Sequence, residues 1–299
     1  MKRLLAVIGA IVMIVAAIVI RSALEGTQET RQSGKRTTIA CIAELESACR
    51  SLTNVDVRIE DAVVTAKTLA NGTANIDGWV TFEPWPDMVN LLADRQIAGV
   101  GTRLARTDLV IAMAQDREQA LAPTCGGSVN WKCLGDAIGN NWSTVGGDAT
   151  WGAVKAGIPP LTTAQGVLLL GEAASGYFNT ASFATNDFDD AFLVWKSRVT
   201  ANAATFTQFI QQFPAKFAAV GTTRVEALES GSKPVATIDP SPAAMAIVTV
   251  APVNGARLPD VAGQLKNRLR DGGWSTQDFG GLTGLPGAGV LLALSGLTG

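Results

Sequence analysis

Three carboxylates stand where apolar runs give out. Glu44 and Glu46 follow the run TTIACIA at 37–43, and Glu83 follows DGWVTF at 77–82, with Phe82 and Trp85 close beside it. Two carboxyl groups flanking a glycosidic bond can serve as acid and base, so Glu44 or Glu46 with Glu83 is a candidate hydrolytic pair whose separation the sequence does not set. Phe82 or Trp85 could stack on a ring or hold a cation against its face. Plainer readings stand beside these. Glu44 and Glu46 also fit the acid-rich first turn of a helix, where each contributes roughly 0.3 to 1 kcal/mol. Trp85, between Pro84 and Pro86, also fits a packed corner.

The chain of 299 residues contains no histidine. Ser-His-Asp triads, Cys-His pairs and His-ligated metal centres are thereby excluded. The four cysteines form two pairs, Cys41 with Cys49 and Cys125 with Cys133, each eight positions apart. In an oxidising compartment this spacing reads as two local disulfides, although three pairings are formally possible. A zinc site is the competing reading, and the spacing and the lack of histidine speak against it. The glycines at 284–289 resemble a phosphate cradle, yet no Lys-Ser or Lys-Thr follows them and no strand precedes them in the right place.

The compartment is indicated at the amino terminus. Lys2 and Arg3 precede an uncharged, mostly apolar run at residues 4–20. Its length is at the short end for a membrane span and long for a signal-peptide core, which leaves both a cleavable signal and an anchor open. Arg21 lies three positions before a cut after Ala23 and spoils that cleavage site, so an uncleaved anchor is expected, with its amino terminus cytoplasmic and the remaining chain outside. No cysteine follows the run closely, which argues against a lipoprotein. The remainder, 47% apolar across the whole chain and with a net charge of only −2, supports packed cores and no electrostatic grip on nucleic acid.

The elements that must position the reactive residues alternate in type. Residues 27–36 are polar and predict a flexible stalk. Strands are predicted at 37–43, 55–59, 77–82 and 108–113, with helices at 44–52 and 85–92. A Gly-rich stretch at 118–149 carries the second cysteine pair and Trp131 and Trp142; a domain crossing is expected there, and these tryptophans with Trp151 are expected to cover a core where lobes meet. A weak strand at 153–158, a helix at 167–174, a long helical stretch at 188–217, strands at 235–238 and 244–251, a helix at 258–269 and a Gly-rich tail from 280 complete the pattern. Such alternation predicts α/β layers, with no internal repeat.

This order of elements resembles the type II periplasmic solute-binding fold, in particular the extracellular binding modules that actinobacteria attach to the membrane. The likeness rests on placement: the first strand into Glu44-Leu45-Glu46-Ser47, the Asn71-Gly72 loop before Asp77-Gly78-Trp79-Val80, and the Pro84-Trp85-Pro86 turn. It continues with the strand Leu109 to Met113, Pro159 to Gly166 before a helix, and Val220-Gly221-Thr222-Thr223. It covers nearly all of residues 37–285.

The resemblance implies an α/β protein of two lobes preceded by one transmembrane helix: anchor and stalk at 1–36, the first lobe at 37–115 and 235–299, and the second lobe at 116–234. It implies a ligand held between lobes, with Glu44, Leu45, Glu46, Phe82, Glu83 and Trp85 on one wall and Thr162, Thr163, Gln165, Thr222 and Thr223 on the other. Thr162 or Thr163 equally fits a helix N-cap. The wall carboxylates favour a polar or cationic organic ligand, or a sugar, over an inorganic oxyanion. The implied protein is no enzyme and carries no cofactor. It captures a small molecule for transport or sensing, with a transporter or envelope protein as partner; the alternative is a scaffold module that has lost its ligand.

Overall fold

One long strand belongs to both halves of the protein. In the computed structural model, which describes residues 36–280 and 284–297, strand β4 spans Thr102–Ala114 and changes partners midway. Thr102–Asp108 pairs antiparallel with β8 (Met245–Pro252), whereas Leu109–Met113 pairs with β6 (Ala219–Thr223) and Ile111–Ala114 with β7 (Val235–Ile238). The run at 4–20 and the expected stalk up to residue 35 lie outside the described residues. Among those described, no helix is long and apolar enough to cross a membrane.

The sheet order is β2-β1-β3-β8-β4-β6-β5, with β7 added on β4; β1 is Thr37–Ile42, β2 Val55–Glu60, β3 Gly78–Phe82 and β5 Ala156–Gly157. β1 and β3 run parallel, and β3 is antiparallel to β8. The first lobe is therefore built on β2, β1, β3, β8 and the first half of β4, and the second on the rest. The change of partners falls within β4, at the stretch Leu109–Met113 that carries the resemblance and upstream of the Gly-rich stretch. Polar Arg103, Arg106 and Asp108 obscure the first half of β4 in the sequence, whereas LVIAMA at 109–114 is buried on both faces. Val235–Ile238, expected to return to the first lobe, pairs with the second half of β4.

The Gly-rich stretch holds two short helices, α4 (Gln115–Leu121) and α5 (Trp131–Ala137), the latter capped by Asn130. Earlier in the chain come α1 (Glu46–Cys49), α2 (Ala62–Ala70) and α3 (Trp85–Leu92). Helix α6 (Ala164–Phe178) is buried around its whole circumference from Ala164 to Ser175, with Gln165, Glu172 and Ser175 buried among its apolar residues. The long helix expected over 188–217 is two, α7 (Asp190–Thr200) and α8 (Phe206–Gln211). Between them Ala203 and Ala204 pair with Ile158, and the Thr205–Gln208 capping box starts the second.

After β6 come α9 (Arg224–Ala227) and, beyond β8, α10 (Val261–Asp271). The tail forms α11 (Ala288–Ser295), which packs on α3 of the first lobe and α6 of the second. Gly171 makes room, since a Cβ there would lie 2.5 Å from Leu291 Cδ2.

Both cysteine pairs are bonded, Cys41 to Cys49 and Cys125 to Cys133. Trp142 and Trp151 meet edge to face beneath the Arg117 guanidinium, which lies 3.2 Å over the Trp151 ring. Trp131 is buried and donates its indole N–H to Glu172 Oε2 at 3.0 Å. Glu172, midway along α6, is fully buried, and its Oε1 has no hydrogen-bond partner. Burial pushes its pKa up to about 8 against the opposing pull of the Trp131 and Ala244 N–H groups. Ala244 belongs to the return crossing, so this carboxyl sits where the lobes are joined. Nearby, Arg224 binds both Asp108 in β4 and Asp239 in the return segment.

Candidate functional site between the lobes

The carboxyl ends of β1 and β3 face the amino end of α6 across a cavity of about 600 Å³. From β1 the chain turns through a 3-10 segment, Ala43–Leu45, into α1, and the Cys41–Cys49 bond closes this whole stretch into a ring. Four residues inside that ring, Glu44, Leu45, Ser47 and Ala48, line the cavity. Phe82 lines it from the end of β3 and stacks on Trp274, with ring centroids 6.0 Å apart and 27° between planes. Trp274 is delivered by the segment after α10, where Ser275 exchanges backbone hydrogen bonds with Arg106 of β4. Arg268 and Asp271 of α10 complete this side.

The opposite wall carries Gln165, Thr223, Glu226 and Glu229. Thr223 caps α9 in a box with Glu226, as the Thr-x-x-Glu spacing favours. Glu226 Oε2 also accepts the Thr222 hydroxyl and the Gln165 side-chain amide, both at 2.6 Å. Thr163 caps α6, accepting from the Gly166 N–H at 3.0 Å. Gly166 is required by close approach: a Cβ there would meet the carbonyl oxygens of Pro160 and Pro159, the latter at 2.6 Å.

The lobes touch beside the cavity. Glu44 Oε1 accepts the backbone N–H of Gln165 at 2.8 Å, the Trp85 indole donates to Ala164 O at 3.3 Å, and Val63 N–H donates to Thr162 O at 3.2 Å. Burial raises the Glu44 pKa, and Glu226 and Asp61 add to the rise; the N–H groups of Gln165 and of Glu44 itself oppose it. Although the residue as a whole keeps some exposure, its Oε2 is sealed from solvent and has no hydrogen-bond partner.

Of the wall residues expected from the sequence, Glu44, Leu45, Phe82, Gln165 and Thr223 meet at this cavity, and Thr222 lies just beneath it. The others lie elsewhere. Glu46 occupies the first turn of α1 and pairs with Arg50 at 2.5 Å. Trp85 is wholly buried, packed edge to face on Trp79. Thr162 and Thr163 hold the entry to α6. Glu83 is gripped by the Arg103 guanidinium, with Nε 2.9 and 3.0 Å from its two oxygens, and lines a different cavity of about 520 Å³. Glu44 and Glu83 thus face different spaces, and no acid–base pair is formed from them. Sequence reasoning missed Glu226, Glu229, Arg268, Asp271 and Trp274. The Thr223-x-x-Glu226 box was a legible signal for one of them; Trp274 had none, because only the β4 contact brings it in.

No family model matches the chain, and no curated protein matches it in sequence. Solved structures match in shape. The Atu4243–GABA receptor has a TM-score of 0.51 at 15% identity, over 81% of this chain and 82% of that one. A full-length OxyR variant from Pseudomonas aeruginosa has a TM-score of 0.50 at 11% identity, over 86% of this chain and 83% of that one. The fold is that of the type II periplasmic binding proteins. Periplasmic binding protein P5PA is also similar, at TM-score 0.48 and 11% identity over 83% of this chain and 88% of that one. In this type II fold the cavity described above occupies the space between lobes, where strand ends and a helix amino terminus converge.

Proposed function

We propose that this is a membrane-anchored, extracytoplasmic solute-binding protein that holds a small polar ligand between its lobes, for transport or sensing. The observation that carries the reading is the interlobe cavity, lined by polar groups from both lobes and large enough for a metabolite-sized molecule. A GABA receptor shares the fold, which accords with this reading. The anchor rests on the run at residues 4–20 and on its basic flank. The two disulfides accord with an oxidising compartment. Ligand binding would select the closed arrangement of the lobes and present it to a transporter or other envelope partner.

A thermal-shift screen of the purified chain against amino acids, polyamines, sugars, oxyanions and metal ions tests this. A ligand at one hundred times its dissociation constant adds about 2.7 kcal/mol and raises the melting temperature visibly. No shift across the panel would refute ligand capture.

A second reading, a scaffold module of the envelope, is favoured by one observation. The lobes are joined to each other by the Glu44–Gln165, Trp85–Ala164 and Val63–Thr162 hydrogen bonds and by α11, which packs on both. That module would stay thermally silent and keep its lobe contacts in every condition.

A further inference from the structure

The interlobe cavity has a marked charge bias. Glu44, Glu226, Glu229 and Asp271 line it against a single guanidinium, that of Arg268. An acidic lining alone identifies no ligand, and two further observations narrow the choice. Glu226 already receives four hydrogen bonds on Oε2, from Gln165, Thr222 and the backbone and hydroxyl of Thr223, whereas Glu44 Oε2 is buried and receives none. An incoming N–H would supply the hydrogen bond that this oxygen lacks. Beside it, Phe82 and Trp274 present a stacked aromatic pair whose faces attract positive charge.

Resting on the reading of this cavity as a ligand site, we propose that its ligand is a small organic cation, an ammonium group on an apolar or aromatic body, with the charge on Glu44 and the body against Phe82 and Trp274. A bare metal ion fits poorly, because among the described residues no three acidic, Cys or His side chains come together to hold one. An anion would meet Glu44 and Glu226 head on. A neutral sugar could donate a hydroxyl to Glu44 but would leave the charge bias unused.

Glu44 gives the site a proton balance. It faces Glu226 from α9, Asp61 at the start of α2, and the Gln165 N–H from α6, with Glu229, Arg268 and Asp271 around the same cavity. Burial and these acids raise its pKa, so a proton competes with a cation for this carboxylate to higher pH than at an ordinary glutamate. An arriving ammonium takes the place of that proton, which leaves to solvent, and Glu44 becomes the carboxylate partner of the bound cation. Affinity for a cation therefore tightens with rising pH for as long as the empty site holds the proton.

The test is isothermal titration calorimetry on the full chain with 2-phenylethylammonium, 1,4-diaminobutane and tetramethylammonium, against neutral 3-phenylpropanol and glucose and anionic phenylacetate. At least one cation should bind more tightly than every neutral or anionic probe. Its affinity should rise with pH from the acid side, and paired buffers of different ionisation enthalpy should reveal proton release. Glu44→Gln should weaken it at least tenfold and remove the release; Trp274→Ala, at a residue that makes none of the three lobe-to-lobe hydrogen bonds, should weaken it several-fold if the first variant does not fold. Binding of a neutral or anionic probe in preference to all cations would overturn the cation assignment and leave ligand capture standing. Cation binding unaffected by either variant would overturn the seating. Silence from every class would overturn both this assignment and the function on which it rests.

Discussion

Replacing Glu172 by Gln should stabilise the protein, increasingly so as pH rises. The carboxyl is fully buried, and its pKa is pushed up to about 8 from an ordinary 4.5. Below pH 4.5 both the folded and the unfolded chain carry the proton, and the group costs nothing through ionisation. Between about 4.5 and 8 the unfolded chain releases the proton while the folded chain retains it. Stability therefore falls by about 1.4 kcal/mol per pH unit, until the folded form also ionises and the loss levels off. At pH 7 the penalty is about 3 kcal/mol, and above pH 8 it approaches about 5 kcal/mol. Glutamine keeps an oxygen for the Trp131 indole and does not ionise. Urea unfolding of the native chain and of Glu172→Gln at pH 4, 7 and 9 should give midpoints that nearly coincide at pH 4 and diverge upward. Parallel curves at all three values would refute the assignment of a buried, protonated carboxyl at the lobe junction.

Three other outcomes follow from packing and connectivity. Removing the first disulfide with Cys41→Ser and Cys49→Ser should cost about 3 kcal/mol, read as a lower urea midpoint; an unchanged midpoint would mean the bond holds nothing in place. Gly166→Ala should destabilise by about 1 to 3 kcal/mol because its methyl meets two proline carbonyls, and a neutral result in thermal denaturation would contradict the close approach. Arg224→Ala should cost under about 1 kcal/mol, since its ion pairs with Asp108 and Asp239 are partly exposed, and a larger loss would show the joint to be more tightly coupled than its exposure implies.

The strands β1, β3 and β8 were legible because their apolar runs are buried, and α3 because Pro86 and Asp87 mark its first turn. β4 was only half legible. Its second half is apolar throughout, while Arg103, Arg106 and Asp108 break the pattern of the first half; Arg106 pairs with Asp108 along the strand itself, and Arg103 and Asp108 take further partners in Glu83 and Arg224. The break between α7 and α8 depends on the edge contact of Ala204 with Ile158, which no local periodicity records. At the site, residues that follow strands β1 and β3 could be placed by fold resemblance. Trp274 and Arg268 could not, because their arrival depends on how α10 returns across β4. Glu46 and Glu83 carried the right chemistry for the wall, but nearer cations, Arg50 and Arg103, hold them elsewhere.

The covalent ring formed by Cys41 and Cys49 makes one wall of the cavity a small macrocycle. Glu44, Leu45, Ser47 and Ala48 are set by its closure as well as by their burial, so a guest meets a surface whose ordering cost was met when the chain matured. Completion of the wall thereby becomes a step of oxidative maturation, separate from collapse of the core. A chain kept reduced would possess both lobes and still lack the finished rim.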